Sequence, residues 1–256
     1  PHAGNDVFHV RGLCNGSQIN AYIKVARQKG ADIGNEMSIL PQFSSATVPS
    51  VIDCSLKGTP FLVTQELPGE RLSTIVGENS NMESLSYMAE YGAALAKIHG
   101  MDIQAKPVKD RKFFHAPSDA LLESLKQEHL KGLFPTSMTV TSPCFCHGDF
   151  HYANILWENH HISGILDFEL SGYGCKEFDI AWAVFVRPGQ KFLRTDVELQ
   201  EFLKGYRQFG VYDAETVKTY MAQCYVYFLS FCGDDAEYCA YVREWLNAFA
   251  AEKCGK

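Results

Sequence analysis

The sequence predicts an α+β chain in two parts, a small β-rich one followed by a larger, mainly helical one. Two observations carry that reading. Within the first sixty-odd of 256 residues, apolar and polar side chains alternate around Asn15-Gly16, a strong hairpin signal. From residue 82 onward, apolar positions recur at helical spacing. With 46% hydrophobic and 21% charged residues, the composition is that of an ordinary globular protein long enough to bury a sizeable core.

Taken in order, residues 7–13 and 19–26 read as strands joined at Asn15-Gly16. In the second strand Ile19, Ala21, Ile23 and Val25 share one face, and Asn20, Tyr22 and Lys24 share the other. Lys24 therefore points away from the core-forming side. Glu36, twelve positions on, begins an apolar helical stretch through Met37, Ile39 and Leu40. Residues 61–67 are a buried-strand pattern ended by Pro68-Gly69. Residues 82–99 form an amphipathic helix whose apolar face includes His99, which reads as a packed core histidine. Helices over 121–129, 197–209, 214–232 and 236–251 complete the second part.

A net charge of −7 argues against nonspecific nucleic-acid binding and admits a cationic substrate. No apolar run reaches membrane-spanning length and no signal-peptide pattern opens the chain, so the protein is expected in the cytoplasm, with no membrane partner. Nine cysteines without a C-x-x-C pair read as reduced thiols. Cys144 and Cys146, which flank one strand residue, are expected to face opposite ways. The chain opens at Pro1 without an initiator Met, and a natural segment ahead of it is expected.

The chemistry is concentrated in Cys146-His147-Gly148-Asp149-Phe150-His151-Tyr152-Ala153-Asn154 and Ile165-Leu166-Asp167-Phe168-Glu169. Phosphoryl transfer from a nucleoside triphosphate needs an acceptor for a hydroxyl proton and oxygen ligands for Mg²⁺. Asp149, on a loop after the strand 144–146, fits the first role. Asn154 and Asp167 fit the second, with Glu169 as a further ligand. Between them, 155–157 and 162–166 read as a hairpin that brings Asn154 and Asp167 to one end of two paired strands. In an extended segment the Asp167 and Glu169 carboxylates would share a side. The spacing compares with the protein-kinase catalytic loop and its metal-binding Asp-Phe-Gly. Gly148 stands where those enzymes have Arg, and Glu169 where they have Gly.

His147-Gly148-Asp149, Asn154, Asp167-Phe168-Glu169 and the tail Asp179-Ile180-Ala181-Trp182 resemble the aminoglycoside phosphotransferase and choline kinase-like family. The resemblance implies a bilobal, protein-kinase-like fold with a nucleotide-binding lobe at 1–67 and a catalytic and substrate-binding lobe at 68–256. It makes Lys24, held by Glu36, the phosphate-binding lysine. It makes 65–69 the hinge, where backbone groups of Gln65 and Leu67 meet the base of ATP or GTP. Gly4-Asn5-Asp6-Val7-Phe8 looks like the tail of the family's nucleotide-covering loop, with Asn5 near phosphate and the preceding strand missing. Aminoglycoside kinases bind substrate amines with acidic residues in the second lobe, which makes Asp234, Asp235 and Glu237 candidate acceptor ligands. Two accounts of Asp179 stay open, a helix cap or a tie to the catalytic loop; with His147 it is read as structural support.

The expected activity is Mg²⁺-dependent transfer of a γ-phosphoryl group to a hydroxyl of a small molecule, foremost an aminoglycoside-like antibiotic or aminated sugar. Two alternatives remain open: a metabolic kinase for choline, ethanolamine, homoserine or a thio-sugar, and a catalytically silent nucleotide-binding regulator.

Overall fold

The computed structural model describes residues 4–28, 31–135 and 142–255. A four-stranded antiparallel sheet opens the chain: β1 (Asn5–Cys14), β2 (Ser17–Ala26), β3 (Val51–Ser55) and β4 (Phe61–Gln65), in the order β1-β2-β4-β3. Asn15 and Gly16 both take positive φ, 50° and 83°, the conformation a two-residue hairpin of this hand requires. Ala21 and Leu62 are buried. Helix α1 (Ile33–Ile39) buries Ile33 and Ile39 and is capped by Asp32, whose carboxylate accepts from Asn35 N–H at 3.1 Å.

The front of the chain differs from expectation. Residues 5–8 are not a covering loop but the start of β1, paired with 23–26 of β2. Ladder hydrogen bonds engage this backbone, and the Asn5 side chain is buried.

The second part begins at β5 (Glu70–Arg71) and α2 (Leu72–Val76), followed by α3 (Leu85–His99) and α4 (Asp119–Ser124). Helix α3 starts three residues later than its apolar pattern suggests. Asn79 and Met82 sit at φ 54° and 57°, where a right-handed helix of L-residues cannot run. Lys126, at φ 56°, likewise stops α4 before residue 129. Strand β6 (Cys144–Cys146) leads into the loop holding Asp149, the hairpin β7 (Ile155–Glu158) and β8 (His161–Ile165) follows, and β9 (Gly172–Gly174) pairs back onto β6. Helices α5 (Lys176–Val184), α6 (Asp196–Tyr206), α7 (Ala214–Leu229) and α8 (Ala236–Lys253) close the core.

Glycines set the close crossing of α3 and α6. A Cβ on Gly92 would lie 1.9 Å from Phe202 O, and one on Gly205 would lie 1.8 Å from Ala89 O. That crossing brings His99, on α3, against Tyr206, on α6. Their Nδ1 and hydroxyl are 2.7 Å apart, so His99 is the hydrogen-bonded core residue its position suggests. Cys144 and Cys146 correct the expectation of opposite faces. Residues two apart on a strand share a face, and their sulfurs lie 4.0 Å from each other. Among the described residues no helix is long and apolar enough to cross a membrane.

Candidate active site

The loop after β6 is held from below by Asp179. Its carboxylate accepts His147 N–H at 2.7 Å and Gly148 N–H at 2.9 Å, and it lies 3.3 Å from His99 Nε2. Of the two readings left open for Asp179, the structure selects the tie to the loop. Helix α5 starts at Lys176 rather than Ile180, so Asp179 lies inside its first turn and not at its cap. Gly148 has φ +79°, and a Cβ there would meet Leu170 O at 2.1 Å; the position demands glycine on both counts.

His147 is buried and neutral. Its Nδ1 accepts Asp149 N–H at 3.2 Å while Nε2 faces Leu166 O at 3.1 Å, a pair that only the Nε2-protonated tautomer satisfies. Burial pushes its pKa below the ordinary histidine value, which agrees.

Asp149 is held on several sides. Trp182 Nε1 donates to Oδ1 at 2.7 Å, and Asn154 Nδ2 donates to the Asp149 carbonyl at 3.0 Å and to Oδ2 at 3.3 Å. Burial pushes the carboxyl pKa up, but the hydrogen bond and charge of His151, 3.6 Å away, together with the Arg187 charge, outweigh it and bring the value down to about 2. Asp149 is thus a carboxylate at neutral pH.

Across the cleft, Lys24 Nζ lies 2.5 Å from Glu36, 2.8 Å from Asp167 and 3.6 Å from Glu169. Burial works against the ammonium, yet the Glu36 and Asp167 charges prevail and hold its pKa above the ordinary lysine range. Glu36, Asp167 and Glu169 each bring one oxygen within 4.8 Å of the others. Three carboxylates against one ammonium leave an excess of negative charge and a set of oxygen donors suited to a hard cation such as Mg²⁺.

The convergence of Asp167 and Glu169 is not that of an extended segment. Asp167 takes φ +68°, a left-handed conformation that Asp tolerates better than most side chains, and 168–170 is a tight 3₁₀ turn. The turn is pinned from α1 and its approach. Phe168 N–H donates to Glu36 Oε1 at 3.1 Å, Asn35 Nδ2 donates to the carbonyls of Glu169 and Ser171, and Asp32 N–H donates to Glu169 Oε1 at 2.8 Å. Asn5 Nδ2 donates to Glu169 Oε2 at 2.5 Å, while its own Oδ1 is buried without a partner among the described residues. Asn5 thus stands beside the carboxylate cluster rather than over the cleft.

Between the sheet and the β7–β8 hairpin lies a cleft of about 430 Å³, whose wall includes Lys24, Thr64, Gln65, Leu67, Asn154 and Asp167. Leu166 N–H donates to Asn154 O at 2.8 Å, and this bond sets Asn154 and Asp167 side by side as the hairpin pattern predicts. Asn154 is the bridge, since it lines the cleft and also holds Asp149. At the end of β4, Gln65 N–H donates to Ser50 O at 3.0 Å and Glu66 N–H to Asn20 O at 3.2 Å. A base contact at Gln65 can therefore use only its carbonyl.

The model of the phosphotransferase enzyme family matches residues 3–212. The chain belongs to that family. Solved structures share the fold. A thermostable mutant of aminoglycoside phosphotransferase APH(4)-Ia, in ternary complex with AMP-PNP and hygromycin B, aligns with a TM-score of 0.63 at 15% identity, covering 98% of this chain and 95% of that one. Spectinomycin phosphotransferase APH(9)-Ia, in complex with ADP and spectinomycin, aligns at 0.61 with 16% identity over 98% and 91%. A choline/ethanolamine kinase family protein from Mesorhizobium loti aligns at 0.56 with 16% identity over 98% and 88%. Comparison with curated proteins finds no match.

In this phosphotransferase the acidic trio of the helical part is partly committed. Asp235 caps α8 by accepting Tyr238 N–H at 2.9 Å, Glu237 pairs with Arg194 at 3.0 Å, and Asp234 is exposed. Contributors that went unassigned in the sequence include Asn35, Asp32, Arg111, His151, Arg187 and Trp182. Arg111 donates to Gly148 O at 2.5 Å and stacks near Trp182. Trp182 lies in the family tail, but nothing local marks it as a donor to Asp149.

Proposed function

We propose that this family member transfers the γ-phosphoryl group of ATP or GTP to a hydroxyl of a small molecule, with residues 1–67 as the nucleotide lobe and 68–256 as the catalytic and acceptor lobe. The observation that carries the reading is the position of Asn154, on the wall of a cleft beside Asp167 and in hydrogen-bond contact with Asp149. A nucleotide in the cleft would place its phosphates towards Lys24, and its base would meet the Gln65 carbonyl and the Leu67 backbone. Asp149 would orient the acceptor hydroxyl and take its proton. Its low pKa suits orientation more than strong basicity, in keeping with a reaction that asks mainly for positioning and charge stabilisation.

The donor set fits Mg²⁺: the carboxylates of Asp167 and Glu169, and the Asn154 side-chain carbonyl left over once Nδ2 has bonded Asp149. Bound there, the ion would neutralise charge on the phosphates. Lys24 would steady the same phosphates, with Glu36 holding it in reach.

For the acceptor, we infer an aminoglycoside-like antibiotic or aminated sugar, its amines directed to Asp234, Asp235 and Glu237. The hygromycin B and spectinomycin complexes of like-folded enzymes support this reading. A metabolic kinase for a small amino alcohol is the second reading, favoured by the choline/ethanolamine kinase neighbour. Nine free thiols suit a reducing compartment, the cytoplasm. The test is nucleotide consumption measured with a panel of aminoglycosides and amino alcohols. Turnover with an aminoglycoside supports the first reading, turnover with choline or ethanolamine alone supports the second, and tight nucleotide binding without turnover of any acceptor marks a silent regulator.

A further inference from the structure

Behind the catalytic loop lies a second donor cluster that the transfer reaction does not use. The sulfurs of Cys144 and Cys146 are 4.0 Å apart on one face of β6. His99 Nε2 and Asp179 Oδ2 are 3.3 Å apart. Donor atoms of His99, Cys146 and Asp179 all lie within 4.8 Å of one another. Zinc binds sulfur at about 2.3 Å and nitrogen or oxygen at about 2.0–2.1 Å, which makes tetrahedral edges of about 3.8 Å between two sulfurs and about 3.3 Å between nitrogen and oxygen. Both edges are close to those distances.

We propose that His99, Cys146 and Asp179, with the Cys144 thiol turning in as a fourth ligand, form a site for a thiophilic divalent cation of the zinc class. The ring of His99 is already oriented as a ligand's would be, because its other nitrogen is fixed by the Tyr206 hydroxyl at 2.7 Å. Cys146, His99 and Asp179 are buried, while Cys144 is half-buried and gives the ion a way in. A disulfide is a poorer use of the two thiols. Pairing of Cys144 with Gly174 and of Cys146 with Gly172 holds β6 extended, and bringing the sulfurs to about 2.05 Å would buckle it. A bridging ion leaves β6 extended and draws the Cys144 thiol in by rotation of its side chain. Hydrogen bonding between His99 and Asp179 accounts for that pair, and strand alternation for the shared face of the two thiols. Neither accounts for the Cys146 sulfur meeting both donor atoms of the pair within 4.8 Å. Because Asp179 also holds the His147 and Gly148 amides, occupancy would bear directly on the loop that carries Asp149.

The experiment uses the full, reduced chain carrying Cys14→Ser, Cys54→Ser, Cys175→Ser, Cys232→Ser and Cys254→Ser, so that accessible thiols elsewhere do not contribute. Titration with Cd²⁺ should give a sulfur-to-cadmium charge-transfer band saturating at one equivalent, and Zn²⁺ should displace the Cd²⁺. Cys144→Ser should weaken binding about tenfold or more, and Tyr206→Phe, which frees the His99 ring, by about tenfold. Thermal melting of each variant checks that it is folded. A second measurement needs no variant at the site: saturating Zn²⁺ should protect Cys144 from alkylation, mapped by peptide. Absence of the band, unchanged affinity in Cys144→Ser, or unprotected Cys144 would overturn the proposal. None of these readouts depends on turnover, so they stand or fall apart from the kinase reading.

Discussion

Two halves of the site are built on different physical principles. The cluster around Lys24 is assembled from residues remote in sequence, Lys24 and Asp167 being 143 positions apart, and is held by charge, with one ammonium among three carboxylates. The cluster around Asp149 is held by directed hydrogen bonds from Asn154, Trp182 and the Asp179-anchored loop. The first tolerates movement, since a Coulomb interaction falls off gradually with distance, and its excess negative charge invites a cation. The second fixes one carboxylate in place, because its hydrogen bonds are lost when the geometry slips. In the proposed reaction, charge would gather the nucleotide and geometry would aim the acceptor.

Variants that break this contrast should fall in a definite order. Asp167→Ala removes a proposed cation ligand and should cost turnover on the order of a thousandfold, with Mg-dependent nucleotide binding lost in calorimetry. Lys24→Met should lower kcat/KM for the nucleotide on the order of a hundredfold, and added salt should weaken the parent's nucleotide binding in the same direction. Trp182→Phe keeps the packing but removes one donor from Asp149. It should lower kcat roughly ten- to a hundredfold while KM for the nucleotide stays near the parent value. A matching rise in nucleotide KM would show that the two clusters are not separate.

Acid pH gives the smallest effect. The Asp149 pKa in the fold, about 2, lies below its unfolded value of about 3.9. The stability it contributes is therefore complete above the unfolded value and is lost as pH falls through about 2. The size is about 2 kcal/mol. Urea denaturation from pH 6 downward should show Asp149→Asn losing less stability than the parent over the last two pH units.

Much of the site was legible in the sequence because its spacing is local. The five-residue step from Asp149 to Asn154 and the β7–β8 hairpin that returns to Asp167 depend on a turn and two short strands. Lys24 was legible from strand alternation, and Glu36 from the helix that follows. What escaped depended on partners remote in sequence. Trp182 reaches Asp149 only because α5 begins at Lys176 and turns its indole inward. Asn5 lies in a strand because β2 offers it a ladder, which no feature of residues 4–6 reveals. Asp167 and Glu169 converge through a left-handed residue, where simple alternation assumed an extended chain. Helix α3 loses its first residues to the positive φ of Met82, a constraint that apolar periodicity does not register.

The central claim is that nucleotide binding and acceptor activation reside in separate clusters, and Asp149→Ala tests it most directly. Calorimetry with the Mg-bound nucleotide and a turnover assay would be run on the same preparation. The expected result is nucleotide affinity within about threefold of the parent, with turnover reduced about a thousandfold. Turnover near the parent level, or a loss of nucleotide affinity as large as the loss of turnover, would contradict it.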